Sequence, residues 1–183
     1  GFNSAEKGTI FHLAMQLLDF SKFDTEDISK IREEVKLQIN SFVEKNIMSL
    51  DEIETININW IVKFIKSEIF KEIYIANKSE KLFKEKAIDY NIKLKNLFKD
   101  ENIEEDEKIM VVGIIDLFFE NENGEIILLD YKTDYVTKEN LEEVKARYKV
   151  QLDLYKSAIE DISGKKVAKK GLYLFGINEF VEI

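Results

Sequence analysis

The sequence predicts an α/β fold in which a run of helices precedes a β-β-β-α-β core, a mixed sheet flanked by helices. Three observations carry this. Apolar residues recur at helical spacing to about residue 80. From Lys81 the pattern turns β-branched and aromatic around turn signals. A long amphipathic stretch, Thr137 to Ile162, then separates two strand-like segments. The length of 183 residues suits one domain with a substantial core.

Ser4 to Phe20 carries Ile10, Phe11, Leu13, Ala14, Met15, Leu17 and Leu18, a helix apolar on most sides and therefore largely buried. Thr25 to Asn46 reads as a solvated amphipathic helix with Ile28, Ile31, Val35, Ile39, Phe42 and Val43 in one stripe. Ser49 to Glu52, "SLDE", is a capping box that opens a short helix. Asn59 to Phe70 reads as one further helix with Trp60, Phe64 and Ile65 toward the core. Lys81 to Leu94 alternates imperfectly and is assigned as a strand, and Glu101 to Glu107 as an acidic turn. Strands Lys108–Glu120 and Glu125–Lys132 flank a turn at Asn123-Gly124. The long helix stops at Ser163-Gly164, and Lys169 to Ile177 is the last strand.

Composition excludes several classes. With no Cys there is no disulfide framework, thiolate zinc site or Cys-ligated iron–sulfur cluster. No apolar run approaches the ~20 residues of a membrane span, so no membrane partner is expected. The net charge of −9 argues against a chain that coats nucleic acid electrostatically. It is compatible with a site that meets phosphate through a cation, which inverts the local charge logic. The chain opens "GFNSAEKGTIFHLAMQ" without an initiator Met, a basic n-region or a cleavage site. The expectation is a piece of a longer, cytoplasmic protein.

Chemistry concentrates in "GIIDLFFENENGEIILLDYKTD", Gly113 to Asp134. Asp116 interrupts one apolar strand, and Asp130 and Lys132 close the next. Charge facing a core is costly unless paired or metal-bound. Asp130 and Lys132 share a strand face. Asp116 lies opposite Asp130 if the hairpin loop has an odd number of residues, as in a three-residue loop ending on Gly124 in the left-handed region. A two-residue Asn-Gly turn would separate the carboxylates. Paired, they would need a cation to stay ionised; Mg²⁺ takes one or two carboxylates and keeps water and phosphate as other ligands. A surface ion pair at a frayed strand end is the alternative. His12, the one histidine, lies in the buried first helix, where a satisfied core histidine is the ordinary outcome.

The ordered set "GTIFH", "GIIDL", "DYKTD" and "QLDLY" resembles the RecB-type branch of the PD-(D/E)xK nucleases, nearest to the nuclease domains of AddA-type helicase–nucleases. The likeness runs from about Gly8 to the chain end and is weakest over Lys22–Ser79. It implies a restriction-endonuclease-like core at 81–183, with 1–80 a helical segment carrying His12, all one nuclease domain of a larger helicase–nuclease. It implies that His12, Asp116, Asp130 and the Tyr131 backbone carbonyl bind metal and that Lys132 is the catalytic lysine. Gln151 and Tyr155 match the family's helix motif and share a helical face with Tyr148. Glu85 aligns with a strand-borne glutamate, although Ala87 and Ile88 stand where relatives often carry Pro-Phe. Ile115 replaces a Pro common in the wider superfamily and usual to lack in this branch.

The resemblance further implies Mg²⁺-dependent hydrolysis of DNA phosphodiesters, with Mn²⁺ able to substitute, and no iron–sulfur cluster. ATP would serve only the parent helicase. A single strand ending 3′ would be delivered during double-strand-break processing for recombinational repair, in a heterodimer with an AddB-like partner. The rivals are a stand-alone nuclease of the same fold and an inactive module that binds DNA or a partner. An inactive module would be expected to lack one of His12, Asp116, Asp130 and Lys132, and all four are present.

Overall fold

A computed structural model describes residues 1–183. Five helices come first: α1 (Ser4–Leu17), α2 (Ile28–Glu44), α3 (Leu50–Glu54), α4 (Ile58–Ile65) and α5 (Glu68–Lys78). Each starts where a side chain takes up orphan backbone N–H groups. Asn3 with Glu6, and Ser49 with Glu52, form capping boxes, while Asp27, Asn57 and Ser67 cap α2, α4 and α5.

The single helix expected over Asn59–Phe70 is two. Ser67 breaks it: its hydroxyl donates to the Phe64 carbonyl and accepts from the Phe70 N–H. Serine competes for backbone groups in this way and restarts the helix at a new angle. The restarted helix α5 runs to Lys78, well past the expected end. Ile28 is exposed and does not belong to the buried stripe of α2.

Five strands form one sheet in the order β1 (Leu82–Lys93), β2 (Lys108–Glu120), β3 (Ile126–Lys132), β4 (Val167–Leu174) and β5 (Glu179–Glu182). A single turn, α6 (Leu94–Leu97), follows β1. All neighbours are antiparallel except β3 and β4, which run parallel. Their crossover is α7 (Leu141–Ser163), closed by Gly164 in the left-handed region (φ 68°). This helix begins after the expected Thr137, because Asn140 turns back to accept the Thr137 N–H. The last expected strand ends at Leu174, and β5 has no counterpart among the expected strands; its four residues carry too short a pattern to stand out.

Helices α1–α5 cover one sheet face through Leu117, Phe119, Ile127, Leu129, Tyr131, Tyr173 and Phe175. Helix α7 covers the other through Ile115, Ile126, Leu128, Leu172 and Leu174. The first four residues of β3, Ile126–Leu129, are apolar and buried on both sides of the sheet, and Asp130 and Lys132 end that run.

The β1–β2 ribbon changes faces midway. Leu117 and Phe119 pack under the helical layer, whereas Val111 and Ile115 pack under α7. In a flat strand these odd-numbered residues would all share one side. The exchange falls at Asp116, and the residue of β1 that comes opposite it, Glu85, has φ +50°. The twist explains why Lys81–Leu94 alternates imperfectly in sequence.

Candidate active site

The hairpin loop is the three-residue alternative. Asn121 and Glu125 close it, the Gly124 N–H donates to the Asn121 carbonyl, and Gly124 has φ +76°. The β2–β3 register pairs Leu117 with Leu129, and one more step brings Asp116 opposite Asp130. Here the ladder stops. The Asp116 carboxylate takes the place of a strand carbonyl, and its Oδ2 accepts the Tyr131 N–H at 2.8 Å. The Tyr131 N–H and C=O point the same way along an extended strand, so that carbonyl also faces the gap between β2 and β3.

Asp116 and Asp130 are 7% and 5% exposed and are the only acidic residues in the core. His12, on α1, reaches the gap from the helical side, its Nδ1 3.5 Å from Asp116 Oδ1. Lys132 reaches it from the other, its Nζ 2.8 Å from Asp130 Oδ2. That oxygen is buried and makes no hydrogen bond of acceptable angle.

Burial pushes the Asp130 carboxyl up to about 7, and the Asp116 carboxylate beside it adds to the rise against the pull of Lys132. Asp116 moves the other way. Burial raises it, but hydrogen bonds with His12, Asp130 and the Tyr131 N–H outweigh that and hold it low. The two neighbouring carboxyls are thus pushed in opposite directions, as repulsion between like charges requires. Burial favours neutral His12 and neutral Lys132, yet the carboxylates overcome it and keep both above their ordinary values.

Glu85 belongs to the same electrostatic group: burial, then Asp116, raise its carboxyl, while His12 lowers it. On α7, Tyr155 is buried and Gln151 exposed, and the Gln151 amide donates to Tyr155 Oη at 3.2 Å. After burial, Asp130 is the chief influence raising the Tyr155 hydroxyl. A Cβ added at Gly113 would overlap Tyr155 Oη and lie 3.1 Å from Cε1 and Cζ, so the first residue of "GIIDL" makes room for the last of "QLDLY". His12, Asp116, Asp130, Lys132 and the Tyr131 backbone therefore meet at one gap; Glu85 and Tyr155 feel its charges without touching these groups, and Gln151 is joined only to Tyr155.

Asp134 and Arg147 add to the residues named from the sequence, and Tyr148, placed there only on the helical face of Gln151 and Tyr155, gains a definite contact. The Tyr148 ring lies 3.9 Å beneath Lys132 Nζ, and its hydroxyl donates to Asp134 at 3.0 Å. Arg147 pairs with the same carboxylate at 3.3 Å. The repeated acid of "DYKTD" was the available signal, since it locks the loop after β3 to α7. Gly8 opens "GTIFH" for a similar reason: a Cβ there would sit 3.3 Å from Thr133 Oγ1.

The side chains do not close into a ready three-ligand cage, because Lys132 holds Asp130 and the Tyr131 N–H holds Asp116. The donor types nevertheless suit a hard divalent cation: two buried carboxylates, a carbonyl on the gap and one imidazole. His12, Asp116, Asp130 and the Tyr131 carbonyl would hold it.

A mixed sheet that presents two aspartates and a lysine where two strands part has the architecture of a restriction-endonuclease-like nuclease. The family model for the PD-(D/E)XK nuclease superfamily matches residues 1–181, and the chain belongs to that family. Relatives named as the AddA component of an ATP-dependent helicase/nuclease include one from Clostridium botulinum (strain Hall), 39% identical over 181 residues, which are 98% of this chain and 13% of that protein. Another, from Thermoanaerobacter sp. (strain X514), is 42% identical over 178 residues, 96% of this chain and 14% of that protein. The chain thus spans about one seventh of the length of these curated relatives. No helix is long and apolar enough to cross a membrane.

Proposed function

We propose that this chain is a Mg²⁺-dependent deoxyribonuclease domain of a helicase–nuclease that processes double-strand breaks for recombinational repair, with Mn²⁺ able to replace Mg²⁺. The observation that supports it most is the pair of buried carboxylates, Asp116 and Asp130, with Lys132 2.8 Å from one and His12 3.5 Å from the other. Burying two carboxyls together beside a half-buried lysine and histidine is costly for stability, and such costs cluster where chemistry needs them.

A bound divalent cation would polarise the scissile phosphate and acidify an attacking water. Lys132, kept protonated by Asp130 and steadied over the Tyr148 ring, neutralises negative charge on the phosphoryl oxygens in the in-line displacement. Asp116 stays ionised through His12 and the Tyr131 N–H. Gln151 and Tyr155 position the strand from α7, and Glu85 adds a third carboxylate. In the parent protein a helicase powered by ATP would deliver the strand ending 3′, beside an AddB-like partner. The substrate need not be held by bulk charge, consistent with −9 overall.

The test is degradation of labelled single-stranded DNA by the chain with Mg²⁺ or Mn²⁺, with EDTA and Lys132→Ala as controls. Cutting that requires both the metal and Lys132 is expected. No cutting, together with calorimetry showing no Mn²⁺ binding that depends on Asp130, would overturn the catalytic reading and leave an inactive module.

A further inference from the structure

Beside the gap, on the α1 side, a cavity of about 270 Å³ is lined by Ser4, Lys7, Phe11, Asn57, Trp60 and Thr133, among others. Nothing in the proposed chemistry uses it. Thr133 directly follows Lys132, and the wall at Gly8 lies one helical turn, about 6 Å, before His12. That is the reach of one nucleotide along an extended strand. Cavities with an aromatic wall and a few convergent polar groups take small planar ligands.

Its composition sets it apart. The chain has 36 Asp and Glu, and four other cavities of comparable or larger size each carry at least two carboxylates. No carboxylate lines this one. Lys7 offers an ammonium, Ser4 and Thr133 offer hydroxyls, and Asn57 offers the amide nitrogen of a side chain whose oxygen caps α4. Trp60 is half-buried and lines the cavity, with Phe11 packed edge-on against its ring at 5.6 Å and Phe175 stacked at 6.2 Å to support it. An indole beside a cation and neutral donors suits a nucleobase with its phosphate, since bases stack on aromatics whatever their sequence.

We infer that this cavity is a nucleotide subsite: a strand crossing the gap from the α7 side to the α1 side lays the base next to the scissile phosphate on Trp60, with Lys7 toward the adjoining phosphate. The inference rests on the nuclease reading and adds the hold on the strand. It makes Trp60 a positioning residue that is indifferent to base identity.

Trp60 is the single tryptophan of the chain, so its fluorescence reports on the cavity alone. The probe is an end-labelled oligothymidylate, compared with the same strand made abasic throughout, titrated into Lys132→Ala protein with Mg²⁺ so that the strand stays intact. Label anisotropy reads binding while tryptophan emission reads the subsite. Saturable quenching by the base-bearing strand is expected, with the abasic strand bound roughly 5- to 100-fold more weakly and without quenching. Wild-type kcat/KM should show the same preference, kept by Trp60→Phe and lost in Trp60→Leu. Unchanged emission with the strand bound, or equal kcat/KM on the two strands, overturns the subsite and leaves the nuclease standing. A strand neither bound by the variant nor cut by wild type overturns both.

Discussion

Asp130→Asn should make the protein more stable at neutral pH while removing its metal site. Burial and Asp116 carry the Asp130 carboxyl from 3.8 to about 7, which corresponds to roughly 4 kcal/mol at 1.36 kcal/mol for each tenfold step. The pull of Lys132 is already contained in that value; water entering the gap when Asp130 ionises offsets part of the cost, and about 2 kcal/mol is the expected net. The sign follows from the raised value. Below about pH 4 the carboxyl is protonated whether the chain is folded or not, so the stability is whole. As pH rises toward 7 the unfolded chain releases the proton while the folded one retains it, and stability falls. His12, also raised, adds loss of the same sign above about 6.5, but it does so in both proteins. Urea unfolding in EDTA at pH 4.5 and pH 8 should therefore show the advantage of Asp130→Asn growing by about 1.5 kcal/mol between the two. Mn²⁺ at a hundred times its Kd should return about 2.7 kcal/mol to wild type at pH 8 and nothing to the variant. A pH-independent difference between the proteins would refute the raised Asp130 carboxyl on which the reasoning rests.

Three further outcomes are expected. Gly113→Ala should cost about 1–3 kcal/mol in urea unfolding through its overlap with Tyr155, and Tyr155→Phe should recover only part, because the ring carbons remain at 3.1 Å. Tyr148→Leu should lower kcat on single-stranded DNA about 5- to 30-fold by removing the ring beneath Lys132, and Tyr148→Phe should lose much less. His12→Ala should weaken Mn²⁺ binding by calorimetry at least about tenfold, and unchanged affinity would remove His12 from the ligand set.

The elements were legible where local signals agreed. Capping residues at Ser49 and Gly164 marked real helix ends, and the loop ending on Gly124 was one of two stated hairpins. The break at Ser67 was not legible, because its hydroxyl bonds depend on where Phe64 and Phe70 pack. Strand β5 escaped because its four residues, two exposed and two half-buried, gain their order from the β4 edge.

For the site, the residues themselves singled out Asp116, Asp130 and Lys132, charges on strands that face a core, while His12, Gln151 and Tyr155 entered only through the family resemblance that the motif order carries. Three things waited for the tertiary structure. Loop parity decided that the carboxylates face each other. The face exchange at Glu85 and Asp116 decided that α1 and α7 both reach one gap. The indole of Trp60, which reads as core in sequence, lines a cavity because α1, α4 and the loop after β3 meet around it. Sequence periodicity records which side of its own element a residue occupies, while the meeting of elements distant in the chain depends on twist and register.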